Sequence, residues 1–86
     1  MKVQRAQATD VLERDGETAV LINDVVVRLG ELSTVVYRLC EQPVDLAHLA
    51  GALEAKFGAP VGRSLLDATK DAVAEMIHHG VLSPSD

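Results

Sequence analysis

Aromatic residues and cysteines are scarce in this sequence. Tyr37 and Phe57 are the only aromatic residues among 86, so a hydrophobic core must be built from the eleven Leu, twelve Val and eleven Ala. The single cysteine, Cys40, cannot form an internal disulfide, which excludes a small secreted scaffold held by disulfide bonds. Because an unpaired cysteine is among the residues most often buried, we expect Cys40 to be an inert core residue.

Positive charge is also scarce. Eight Lys and Arg stand against thirteen Asp and Glu, which gives a formal net charge of −5. Binding to a phosphate backbone requires clustered positive charge, so the composition argues against a nucleic-acid partner. No apolar run approaches the roughly 18 residues of a membrane-spanning helix, and residues 1–10 lack the apolar stretch of a signal peptide. The sequence therefore predicts a cytoplasmic protein with no membrane partner.

Apolar residues make up 48% of the chain, which is enough for one hydrophobic core. A chain of this length leaves room for one domain, and no internal repeat or linker divides residues 1–86. Residues 1–8 and 83–86 carry no strong signal of secondary structure and are expected to be flexible. A catalytic cleft usually needs more chain, so the length favours a binding domain over an enzyme.

The first third of the sequence contains two signals of tight hairpin turns. Asp15-Gly16 and Asn23-Asp24 are dipeptides that accept the positive φ angles of two-residue turns. Three short segments around these turns are rich in β-branched residues and are predicted strands: 11–12, 19–22 and Val25–Leu29. Together they predict a three-stranded antiparallel meander.

Two-residue turns also fix the register of the strands, and hence which side chains share a face. The second turn sets Ile22 opposite Val25, and the first sets Leu12 opposite Ala19. One face then collects only apolar side chains and is the predicted core face: Val11, Val20, Ile22, Val25, Val27 and Leu29.

The rest of the sequence has helical spacing of apolar residues. It predicts helices over residues 34–41, Leu46–Phe57 and 65–79, the first two with Ser33 and Asp45 as N-caps. Gly80 stands where a helix commonly ends, and Val81-Leu82 should fold back onto the core. The predicted fold is α+β and winged-helix-like, a three-stranded antiparallel meander followed by three helices (βββααα).

The third predicted helix is apolar on more than one side. One line along it contains Leu65, Ala68, Ala72 and Met76, and a neighbouring line contains Leu66, Val73 and Ile77. A helix that packs once against a small sheet needs only a stripe. The additional width either covers the other two helices or forms one wall of a groove, and the sequence leaves both possibilities open.

Residues that could carry catalysis or hold a metal do not form a recognisable pattern. His78 and His79 are neighbours on a helix and point about 100° apart, which makes them a poor pair of ligands. Ser64, Asp67 and His78 could be drawn as a triad, but no nucleophile elbow or oxyanion loop accompanies them. We therefore predict no catalytic residue, no metal and no cofactor.

The meander offers an interaction site at its edge, because its outer strands each keep a row of unpaired backbone groups. The segment Val25–Leu29 is apolar and contains no proline, so an extended peptide could pair with it and contact the third predicted helix. Arg28 and Lys70 could attract an acidic peptide. The predicted peptide-binding residues are Val25, Val26, Val27, Arg28, Leu29, Leu66, Thr69, Lys70, Val73 and Ile77.

The sequence is also compatible with two other functions. The helices can be drawn as a helix-turn-helix, which would make the chain a small winged-helix regulator or a structural subunit with no peptide ligand. The second predicted helix, however, would present His48, Glu54 and Lys56 to the major groove, a weak electrostatic footprint. Alternatively, the other face of the meander, with Leu12 and Leu21 near Arg14, could dock a partner enzyme or a second copy of the chain.

Four segments resemble the PqqD-like family: VLERDGETAVLIND (11–24), LSTVVYRLC (32–40), DLAHLAGALEAKF (45–57) and AEMIHHGVL (74–82). The resemblance covers about residues 11–82. It implies three strands followed by three helices, and a domain without enzymatic activity. Such a domain binds the leader segment of a ribosomally synthesised, post-translationally modified precursor peptide as an added strand, between the third strand and the third helix.

The same resemblance implies that the domain delivers the precursor to a maturation enzyme, which can be a protease, a cyclase or a radical enzyme. Because the chain is short and free-standing, we expect a recognition protein that serves separate enzymes. Lasso-peptide biosynthesis, with its protease and cyclase, is the expected pathway. Pyrroloquinoline quinone and radical-enzyme thioether pathways are the alternatives.

Overall fold

The computed structural model describes residues 1–85, which contain six strands and three helices. In chain order they are β1 (Lys2–Arg5), β2 (Asp10–Arg14), β3 (Glu17–Ile22), β4 (Val25–Leu29), α1 (Glu31–Leu39), β5 (Val44–Asp45), α2 (Leu46–Phe57), α3 (Leu65–His78) and β6 (Leu82–Pro84). The strands form two small antiparallel sheets, in the orders β2-β3-β4 and β5-β1-β6. The fold class is α+β, and it contains three strands beyond the predicted βββααα order.

Two tight turns organise the first of these sheets. Asp15, Gly16, Asn23 and Asp24 have φ angles of 53°, 80°, 49° and 66°, the left-handed conformation that two-residue hairpin turns require. The resulting register pairs Leu12 with Ala19 in the first hairpin, as predicted. The second hairpin pairs Ile22 with Val25, Val20 with Val27 and Thr18 with Leu29, which also confirms the prediction.

The predicted core face of the meander is only partly buried. Val20 and Leu29 are in the core, whereas Val11 and Val25 are 41% and 60% exposed. The helices cover one end of the sheet: the Thr34 hydroxyl of α1 donates to the Leu29 carbonyl at 3.3 Å and accepts from the Thr18 hydroxyl at 3.0 Å. Val25 lies at the other end of β4, about 13 Å from Leu29, and is therefore left outside the core.

The second sheet was not predicted from the sequence. Residues 1–8 were expected to be flexible, but Lys2–Arg5 form its central strand and Val3 is completely buried. Residues 83–85, also expected to be flexible, run along β1, where the Ser85 amide donates to the Lys2 carbonyl at 2.8 Å. The expectation for Asp86 lies outside the described residues.

The helices agree with the predictions in number, but α1 begins three residues earlier and ends two residues earlier than the predicted 34–41. The structure confirms the predicted bounds of α2, and Gly80, with φ of 78°, follows α3 as expected. The N-cap of α1 is Gly30 and not Ser33, because the Gly30 carbonyl accepts the first helical hydrogen bond, from Thr34 at 2.8 Å. Among residues 1–85, no helix is long and apolar enough to cross a membrane.

Residues from both sheets and all three helices meet in one core. As expected, the chain folds back onto this core after α3, and Val81 and Leu82 are almost fully buried. The core is completed by residues of every other layer: Val3, Val20, Leu29, Val36, Tyr37, Cys40, Leu46, Leu49, Leu53, Val73 and Met76. This arrangement fixes α3 beside β4, which creates the site described next.

Candidate functional site

A groove of about 700 Å³ lies between β4 and α3. All five residues of β4 line one side of it. The other side is formed by α3, with contributions from α1 and from the segment that follows α3: Ser33, Asp71, Ala72, Glu75, Met76, His79 and Val81. The volume is within the range of ordinary ligand-binding clefts.

The backbone of β4 presents unpaired groups to this groove. In an antiparallel pair joined by a two-residue turn, the residues that flank the turn exchange both backbone hydrogen bonds, and the pairs then alternate. Val25, Val27 and Leu29 are therefore hydrogen-bonded to β3, whereas the N–H and C=O groups of Val26 and Arg28 point away from it. Among residues 1–85, no strand pairs with this outer edge of β4.

A separate hydrogen bond supports the conclusion that the backbone groups of Val26 point away from β3. Leu21 stands opposite Val26 in the register. Its carbonyl is directed to the other side of β3, where it accepts from the Thr9 amide at 2.8 Å. Because Leu21 does not bond to β4, Val26 is in a pair without cross-strand hydrogen bonds, and its backbone groups are free to bond to another strand.

Side chains of β4 alternate between the two faces of the sheet. Val25, Val27 and Leu29 are on the face that meets the helices, and their exposure falls along the strand from 60% at Val25 to 5% at Leu29. Val26 and Arg28 are on the opposite face. An incoming strand would therefore find an apolar floor on the α3 side.

The residues predicted on the third helix are not those that line the groove. Thr69 and Val73 are 2% and 1% exposed and belong to the interior, and Ile77 is half-buried against the core. Leu66 and Lys70 are exposed but are not part of the groove lining. The observed wall follows Ala72 and Met76, about 100° around the helix from the predicted line.

This difference has a packing cause. The Val73 side of α3 belongs to the core, and α3 packs mainly against α2, which uses the apolar width that could otherwise have faced a ligand. Ala72 and Met76 lie on the other apolar line that the sequence contains. Met76 is also part of the core and is almost fully buried, so Ala72 is the more accessible of the two in the groove. A role in peptide binding stays a prediction for all ten residues, but only the five from β4 are in the groove.

Carboxylates are prominent on the α3 wall. Asp71 and Glu75, one helical turn apart, both line the groove and are well exposed. The guanidinium of Arg63 hydrogen-bonds to the Asp71 carboxylate, and this bond raises the pKa of Arg63. His79 Nε2 lies 3.5 Å from Glu75 Oε1, an ion pair only when the imidazole is protonated.

An apolar pocket adjoins the groove. It has a volume of about 240 Å³ and shares Ala72 with the groove lining. Its other walls come from the start of α1, the end of α2, the three residues after α2 and the start of α3: Leu32, Leu53, Phe57, Gly58, Ala59, Pro60, Leu65, Ala68 and Thr69. The pocket extends the apolar surface beyond the groove.

The two candidate nucleophiles, Cys40 and Ser64, lie outside the groove lining. Cys40 is completely buried, and burial raises the pKa of its thiol to about 11, so it stays protonated at neutral pH. The Ser64 hydroxyl accepts a hydrogen bond from the Asp67 amide at 3.0 Å and caps α3. Within residues 1–85, no three His, Cys, Asp or Glu side chains are placed to hold a metal ion.

Comparison with known proteins finds no matching family model, no matching curated protein and no matching solved structure. The geometry of the groove is therefore the basis on which a function can be assigned.

Proposed function

We propose that this chain is a peptide-recognition domain without enzymatic activity. An extended peptide binds as an additional strand on β4, in the groove that faces α3. The observation that carries this proposal is the open edge of β4, where the backbone groups of Val26 and Arg28 point into a groove with an apolar floor. Main-chain hydrogen bonds would supply much of the affinity, and alternate side chains the specificity.

The two outer strands of the meander differ in a way that supports this site. Exposed sheet edges are usually protected by charged residues, proline or a covering element. The segment DVLER of β2 contains three charged residues, and its Glu13 forms an ion pair with Arg38. The segment VVVRL of β4 contains one charged residue and no proline. The edge with the weaker protection is the one that faces a groove, which is the arrangement expected of a binding edge.

We propose further that the peptide is the leader of a ribosomally synthesised precursor. This step is supported by the resemblance of residues 11–82 to the PqqD-like family, and the finer description of the fold as winged-helix-like has the same support. In this account the chain is cytoplasmic and presents its bound precursor to a maturation enzyme. A lasso-peptide protease and cyclase are the proposed enzymes.

Calorimetric titration with the leader peptide of the precursor encoded nearest this gene tests the proposal. We expect saturable binding with one peptide per chain, and no binding of a peptide with the same composition in scrambled order. If the leader and the scrambled peptide behave alike up to millimolar concentration, the proposed ligand is wrong.

A gel-shift experiment with duplex DNA at low salt tests the alternative of a winged-helix regulator. We expect no shift, because the chain has a net charge of −5 and the α2 positions that would face DNA include Glu54 beside Lys56. Tight, salt-sensitive binding of DNA would replace the peptide-binding proposal with the regulator.

A further inference from the structure

We infer that the peptide bound on β4 carries basic side chains at the positions that face α3. The inference rests on the proposed function and specifies its ligand. It reverses the sequence-based expectation of an acidic peptide, because Lys70 is outside the groove and the wall instead contains the carboxylates of Asp71 and Glu75. Arg28 lies on β4, but strand alternation directs its side chain to the opposite face of the sheet.

The spacing of the two carboxylates fits a strand. Side chains on one face of a β-strand repeat every two residues, or about 6.6 Å. Asp71 and Glu75 are four residues apart on α3, an axial separation of about 6 Å. An added strand that runs along α3 would therefore bring two consecutive side chains of its α3 side to the two carboxylates.

The surface beneath the carboxylates favours long basic side chains in particular. Half-buried Ala72 and the small accessible part of Met76 form the apolar part of the α3 wall, next to Asp71 and Glu75. Lys and Arg combine an aliphatic stem, which can lie on such a surface, with a charged end that reaches a carboxylate at its rim. A short polar side chain would neither cover the apolar surface nor reach a carboxylate.

Arg63 already pairs with one of the two carboxylates. Its guanidinium hydrogen-bonds to the exposed carboxylate of Asp71 from the segment that precedes α3. A ligand cation at Asp71 must displace it. We therefore expect Arg63→Ala to tighten the binding of basic peptides by about twofold to fivefold, the range measured for exposed ion pairs.

Selection from a random library of extended peptides, with the full chain as bait, tests the inference. We expect the enriched peptides to carry Lys or Arg at alternate positions. The double variant Asp71→Asn/Glu75→Gln should bind them about threefold to tenfold more weakly. The matched control Glu41→Gln/Glu54→Gln, which removes the same charge at exposed positions outside the groove, should bind them as the original chain does.

The outcomes separate this inference from the proposed function. If the enriched peptides lose binding to Val26→Pro but show no basic preference and bind the Asp71→Asn/Glu75→Gln variant equally well, the inference is wrong and the function stands. If no enriched peptide depends on Val26, both are wrong. Enrichment of acidic residues at alternate positions would also overturn the inference.

Discussion

Val26→Pro is expected to weaken binding of the leader peptide about tenfold or more while leaving the fold intact. Proline removes the Val26 N–H, which in this account donates to the incoming strand. Loss of one such hydrogen bond costs about 1 kcal/mol, and the ring also occupies space at the edge that the peptide must approach. The measurement is a calorimetric titration of the variant, with urea unfolding to show that its stability is retained.

Two matched variants sharpen this result. Val26→Ala keeps the N–H and removes an exposed side chain on the opposite face, so it should lose far less affinity than the proline variant. Val27→Pro removes an N–H that bonds to β3, so it should lower the stability of the sheet itself. If Val26→Pro is folded and binds the leader as tightly as the original chain, the peptide does not pair with β4.

Val3→Asp is expected to cost several kcal/mol of stability, a large part of the total for a domain of this size. Val3 is completely buried in the central strand of the second sheet, so a carboxylate at this position would lose its hydration on folding. Domains of this size have a free energy of unfolding of only about 4–13 kcal/mol. Circular dichroism during urea unfolding measures the loss directly.

Gln7→Asp is the control for that experiment. It introduces the same carboxylate four residues further along the same segment, at an exposed position. We expect its unfolding midpoint to differ little from that of the original chain. Equal midpoints for Val3→Asp and the original chain would mean that the start of the chain is not packed in solution as it is in the structure.

The meander and the helices could be predicted because their signals are local in the sequence. Asp15-Gly16 and Asn23-Asp24 mark the turns, and a turn of fixed length sets the pairing of the strands beside it. Asp45 similarly precedes α2 and is its N-cap residue. Each of these signals acts over a few residues, so it can be recognised without knowledge of the tertiary structure.

The second sheet has no such signals. Its strands contain two to four residues each, and β1 pairs with segments about 40 and 80 residues away along the chain. Short strands joined by no hairpin turn cannot be recognised from the alternation of side chains. Val3, which with Leu82 of β6 anchors this sheet in the core, is a single valine between polar neighbours in the sequence.

The groove could be predicted on one side only. The β4 side follows from the hairpin register, which determines both its face and its free edge. The α3 side depends on the rotation of the helix about its own axis, and two apolar lines were available for packing. The core contains Thr69, Val73 and Met76, and this rotation of the helix places Ala72 and its neighbouring carboxylates at the groove. Contacts with α2 determine this rotation of α3, and they cannot be predicted from the α3 sequence alone.

Amide hydrogen exchange in β4, measured residue by residue by NMR with and without the leader peptide, shows whether the peptide binds as an additional strand. In the free protein, the amides of Val25, Val27 and Leu29 should be protected, whereas those of Val26 and Arg28 should exchange rapidly. Saturation with peptide should protect Val26 and Arg28 as well. If these two amides exchange as rapidly in the saturated complex as in the free protein, the peptide does not bind as a strand on β4.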